Sequence, residues 1–180
     1  FSGASEAGTA RVATLSGTSL SYGSTSEFRS QQTYDISSAY DSSTGKAVMV
    51  YRDNFSNGRT AVATISGTSV SFGSDTIFAA NGVVSSGDTS KTAITYDSTN
   101  DKMVISYQDE SNSKHGTIIV GTVSGTSISF GTPVVFEAAS TNYTTSAFDT
   151  NSKKVVIAYR DQGNSNYGTS IVFQNANLTT

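Results

Sequence analysis

Three short anchors recur in fixed order along this chain, and no other feature limits its fold so strongly. The first is Ser16-Gly17-Thr18-Ser19, which returns as Ser66-Gly67-Thr68-Ser69 and Ser124-Gly125-Thr126-Ser127. The second is Tyr40-Asp41, Tyr96-Asp97 and Phe148-Asp149. The third is Tyr51-Arg52-Asp53, Tyr107-Gln108-Asp109 and Tyr159-Arg160-Asp161. A glycine stands eight residues before each Ser-Gly-Thr-Ser, at Gly8, Gly58 and Gly116, and Gly168 matches them by its distance from the third anchor. The spacings are therefore 50, 58 and 52 residues. Repeats run approximately over 8–57, 58–115 and 116–167, with an extra strand and a tail over 168–180. The middle repeat carries added residues around Asn81 to Thr89 and Glu110 to His115, which mark loops, because loops tolerate insertion.

Each repeat reads as four strands. The first covers Thr60 to Ile65, with equivalents Thr9 to Leu15 and Thr117 to Val123. Ser-Gly-Thr then forms a tight hairpin turn, where glycine accepts a positive φ. The second strand alternates strictly, as in Ser69-Val70-Ser71-Phe72, with one apolar face and one serine face. The third ends at the second anchor. The fourth, such as Val155-Val156-Ile157-Ala158-Tyr159, barely alternates, which predicts a strand covered on both faces. A small sheet cannot cover both of its faces alone, whereas stacked sheets can. The expected fold is all-β, a β-propeller-like array of four-stranded antiparallel blades. A β-sandwich or an open stack of sheets are the alternatives. Propellers close with about four to eight blades, and three full repeats fall short. The chain is thus expected to be part of a longer repeat array, or to pair with a second copy into a ring of about six blades with the spare strand crossing between them. Its start at Phe1 fits removal of a leader or a longer parent chain.

Composition narrows the function. Ser and Thr make up 57 of 180 residues, yet Val, Ile, Tyr and Phe recur among them at regular places, so the bias is one of strands and turns, not of disorder. The net charge is −3 with no basic stripe, so nucleic acid is not an expected partner. No apolar run reaches the length of a membrane span, and no membrane insertion is expected. With no cysteine and one histidine, His115, neither a thiolate metal site nor a histidine-based triad is expected, and no cofactor is. Loop oxygens of this kind could hold calcium, but no spacing resembles an EF-hand.

The recurring aspartates, Asp41, Asp97 and Asp149 and then Asp53, Asp109 and Asp161, read as turn starters accepting backbone amides two residues on, because a group present in every repeat does the same structural work in each. The segments after the third anchor are rich in Asp, Asn and Gln, and Asp, Asn, Gln and Arg beside a tyrosine are the groups that pair with sugar hydroxyls. Candidate ligand-binding residues are Arg52, Asp53, Asn54, Asp109, Asn112, Arg160, Asp161 and Asn164. Several weak sites on one rim would act through avidity. The competing reading is that these are plain polar connectors. Three sequons, Asn54-Phe55-Ser56, Asn142-Tyr143-Thr144 and Asn177-Leu178-Thr179, carry little weight in a chain so rich in hydroxyls.

The stretch Gly121 to Gly131 and the strand Val156 to Asp161 resemble tandem repeats of phage tail-fibre and other virion appendage proteins, and of secreted bacterial surface proteins. The resemblance spans nearly the whole chain. It implies extracellular or virion-surface display, recognition of a glycan or cell-surface receptor, and assembly with other copies. Propeller lectins generally stack sugars on tryptophan, which this chain lacks, so a lectin-like site would have to use tyrosines such as Tyr51, Tyr107 or Tyr159. The leading expectation is a non-catalytic binding or adhesion module. The alternatives are a self-assembling coat or appendage component, and a carbohydrate-active enzyme drawing on the non-repeated acids Asp75, Glu110 and Glu137.

Overall fold

A computed structural model describes residues 6–80 and 92–174. The loop expected at Asn81 to Thr89 and the sequon at Asn177 lie outside them. Every regular element among the described residues is a β-strand, apart from one 3₁₀ turn at Glu110–Asn112. The strands are β1 (Ala7–Ala10), β2 (Ala13–Ser16), β3 (Ser19–Tyr22), β4 (Ser26–Asp41), β5 (Lys46–Asp53), β6 (Gly58–Ser66), β7 (Ser69–Phe72) and β8 (Thr76–Ala79). Then follow β9 (Thr92–Asp97), β10 (Lys102–Asp109), β11 (His115–Ser124), β12 (Ser127–Phe130), β13 (Val134–Asp149), β14 (Lys154–Asp161) and β15 (Tyr167–Phe173). All pairing is antiparallel.

The pairings cut the chain differently from the sequence repeat. One layer is the second half of β4 with β5, β6 and β7; the next is β9, β10, β11 and β12; the third is the second half of β13 with β14 and β15. Each layer thus joins the last two strands of one repeat to the first strands of the next. A four-stranded sheet confined to a single repeat does not form. The reason lies in β4 and β13, which are each 16 residues long and serve two layers. The first half of β4 pairs with β1 and its second half with β5, and β13 does the same with β11 and β14. The handover is a bulge, a register skip between Tyr34 and Ser37 and between Asn142 and Thr145. At its centre Asp35 (φ 52°) and Tyr143 (φ 53°) take the left-handed conformation that lets one extra residue bend the strand.

Local chemistry explains the hairpins. Gly17, Gly67 and Gly125 hold φ near 60° (60°, 58° and 60°), which costs glycine little. The strands after each turn begin and end where the alternation of Ser with Leu, Val or Ile predicts.

The core sits between layers. Met103, Ile105 and Tyr107 of β10 pack with Val48, Val50 and Val62 of the first layer. Val104, on the opposite face, packs with Val155, Ile157 and Tyr159 of the third. Strand β10, whose Met103, Val104 and Ile105 do not alternate with polar residues, is therefore covered on both sides. Each anchor tyrosine meets a phenylalanine of the preceding layer's end: Tyr51 with Phe28 (5.1 Å), Tyr107 with Phe78 (5.4 Å) and Tyr159 with Phe136 (5.2 Å). Tilted and edge-on pairs like these add about 0.5–1.5 kcal/mol each beyond burial. Contact between layers is densest at β4, β9 and β13, the first strands of the three layers, and thinner towards β7 and β12.

Candidate functional site

The loops after β5, β10 and β14 and the bulges of β4 and β13 share one end of the strands, because Arg52 pairs with Tyr34 and Arg160 with Asn142. This end is the rim that holds all eight sequence candidates. Their backbones are set by the aspartates. Asp53 accepts from the Phe55 amide (2.8 Å), Asp109 from Ser111 (3.0 Å) and Asp161 from Gly163 (2.8 Å). At the opposite end Asp41, Asp97 and Asp149 accept from Ser43, Thr99 and Asn151 (2.9 Å each). All six take the amide two residues on, which is the turn geometry their recurrence predicts.

Asp53 does more than start a turn. Its buried carboxylate also accepts from the Asn57 amide (2.8 Å), Asn57 Nδ2 (2.9 Å) and Arg59 Nε (2.6 Å). Burial pushes its pKa up, but these bonds outweigh burial and hold it below the ordinary carboxylate value. Arg59 Nη1 continues to Asp75 (3.0 Å), Arg29 Nη1 also reaches Asp75 (3.0 Å), and Tyr51 donates its hydroxyl to the same carboxylate (2.9 Å). Two arginines and two aspartates thus lock together beside a shallow groove lined by Phe28, Gln31 and Ser74. Burial and then Asp75 raise the Tyr51 pKa, so its phenol stays protonated and a donor.

The other candidates divide into buried and displayed. Arg52 is buried, stacked over the Tyr34 ring (4.0 Å) and 3.3 Å from Asp35. Asp161 is buried and holds the Gly163 and Asn164 amides. Asn54, Asn112 and Asn164 are exposed on their loops. Arg160 stacks over the exposed Tyr143 ring (4.8 Å). With its amide oxygen turned towards Arg160 Nη2 (3.0 Å), Asn142 ties this pair to Gln162. Gln108 donates through Nε2 to the Thr141 carbonyl, while its Oε1 and the Arg160 Nε are buried without a protein partner. Gln108, Asn142 and Tyr143 escape a reading of the loops alone. The signal for Gln108 is that it stands where the other two repeats have arginine. Phe55 and Tyr167 complete the set of exposed rings at this rim.

Tyr51 and Tyr107 are fully buried and Tyr159 nearly so, and none of them offers a ring face to a ligand. The three acids weighed for an enzyme each have a different partner: Asp75 the two arginines, Glu110 the Lys114 ammonium (3.8 Å), and Glu137 the Tyr159 hydroxyl (3.0 Å). Among the described residues no group of three or more His, Cys, Asp or Glu side chains is placed to hold a metal, and no helix is long and apolar enough to cross a membrane. No protein-family model matches this chain, and no curated protein matches it in sequence.

Proposed function

We propose that the chain is a non-catalytic recognition module of an extracellular or virion surface, built as consecutive blades of a β-propeller, whose rim of loops and bulges binds glycans. The propeller reading draws on the fan-like contact between layers, dense at their first strands and sparse at their last. The recognition reading rests on one observation. Three exposed rings, Phe55, Tyr143 and Tyr167, stand at one end of the strands, among the amides of Asn54, Asn112, Gln162 and Asn164. Flat apolar faces flanked by amides and a guanidinium suit the alternating C–H and O–H surface of a sugar. Tyr143 with Arg160 is the preferred contact, because the exposed ring stands directly against a guanidinium. Asp53, held in its ionised form by hydrogen bonds, would make a poor general acid.

A glycan array probed with the purified chain tests this. Specific binding that is lost in Tyr143→Ala and retained in Tyr40→Ala, an exposed tyrosine at the other end of the strands, is the expected result. Absence of binding to any glycan, with the chain folded, would leave these loops as connectors.

A further inference from the structure

The three layers make two equivalent contacts through their hairpins, and the third such contact is present only as two separated halves. In the first, the β6–β7 hairpin leans on the preceding repeat. Phe72 meets Phe28 (5.5 Å), and the Thr68 carbonyl lies so close to Gly23 that a Cβ there would overlap it. In the second, Phe130 of the β11–β12 hairpin meets Phe78 (6.0 Å), and the Thr126 carbonyl crowds Gly73 in the same way. The next positions in the series are Phe136 and Gly131. Among the described residues Phe136 has its tyrosine, Tyr159, but no hairpin aromatic, and a Cβ on Gly131 would meet only the Val120 carbonyl, at 3.9 Å. Beside Phe136 lies an open groove of about 590 Å³ walled by Val134, Val135, Ile171, Val172 and Phe173.

The matching donor is at the other end of the chain. Among the described residues the β2–β3 hairpin pairs only with itself. Its Leu20 is 55% exposed and its Tyr22 57%, whereas the residues equivalent to Leu20, Val70 and Ile128, are 7% and 5% exposed. The register of β15 against the repeat assigns Gln174 to the place of Thr14, so Asn175 to Thr180 would supply Asn-Ala-Asn-Leu-Thr-Thr where a hairpin needs an apolar residue, glycine and an alternating strand. That stretch lacks the Ser-Gly-Thr-Ser turn shared by the other hairpins.

We infer that a second copy of this chain supplies the other half of the third contact: the β2–β3 hairpin of one copy seats in the groove beside β13 and β15 of another, with Tyr22 on Phe136 and the Thr18 carbonyl on Gly131. Existing contacts within the chain are the template, and both halves lie on the same pair of ends. The arrangement is head to tail, so it either closes or propagates. Its closing as two copies around six layers rests on the propeller reading above. The contact itself does not.

The solution mass of the purified chain tests this, measured over a concentration series. A species of two chains is expected. Gly131→Ala should return it to one chain with unchanged circular dichroism, because the added methyl has room in the isolated chain and overlaps only the incoming Thr18. Tyr22→Lys should do the same. Masses that grow without limit, and are cut by the same variants, would keep the contact and overturn the closed ring. A single chain at every concentration would overturn the inference, as would an assembly indifferent to both substitutions. So would a single chain that pairs only after residues 175–180 are deleted, since the tail would then be the natural occupant.

Discussion

Replacing Asp53 with alanine should cost far more than the same change at its counterpart Asp161. Asp53 accepts four hydrogen bonds of 2.6–2.9 Å from Phe55, Asn57 and Arg59, and its side chain is fully buried with Arg29 3.6 Å away. Without it, two loop amides lose their acceptor, Arg59 keeps Asp75, and Arg29 keeps Asp75 and Gln31. A hydrogen bond to a charged group contributes about 1.5–3 kcal/mol, but bonds to one atom do not add. Breaking a buried ion pair from one side costs about 3–5 kcal/mol, and that range is the expectation for Asp53→Ala. Asp161 holds only the Gly163 and Asn164 amides (2.8 and 3.1 Å), a loss comparable to removing a cap, about 1–2 kcal/mol. Against a total stability of about 5–15 kcal/mol, the difference is large. Urea unfolding followed by circular dichroism reads it as a shift in midpoint at constant slope. Equal losses for the two variants would refute the reasoning. They would mean that the arginine–aspartate network contributes nothing beyond the turn.

The Asp53 carboxyl has a depressed folded pKa, so its contribution is present above the unfolded value near 3.8 and is lost as pH falls through the folded value; the stability gap between wild type and Asp53→Asn should therefore narrow on acidification below that point. Tyr159 behaves oppositely: burial, and then Glu137, push its pKa from 10.0 up to about 12, so its contribution holds below pH 10 and fades as pH rises through 12. Tyr159→Phe should flatten that alkaline limb in a pH series of melting temperatures. Gly73→Ala, which forces the Thr126 carbonyl away, should destabilise the isolated chain by about 1–3 kcal/mol, while Gly131→Ala leaves it unchanged; equal melting temperatures for both would undo the hairpin-contact argument. Phe55→Ala, at an exposed ring, should alter stability by no more than about 0.5 kcal/mol, so any loss of glycan binding it causes reports on contact and not on folding.

What could be read from the sequence is what short-range chemistry controls. The hairpins were legible because a glycine must occupy the left-handed position at Gly17, Gly67 and Gly125, and the roles of the six aspartates because a carboxylate reaches the amide two residues on. The burial of β10 on both faces was legible from the loss of alternation. The long strands were not, because their bulges put Asp35 and Tyr143 at positive φ, a conformation that no glycine announces there. The Arg29–Asp75 pair spans 46 residues and belongs to no repeat, so no local pattern could join its members. The hidden bulge has the larger consequence. Since β4 and β13 each belong to two layers, a layer boundary falls inside a repeat and not between repeats. Among the described residues, β1 to β3 then form part of a layer at one end of the series, and β13 to β15 part of another at the other end. Three whole repeats are therefore two whole layers and two halves. The exposure of Leu20 and Tyr22 and the open side of Phe136 both follow from that offset, as two sides of one missing contact.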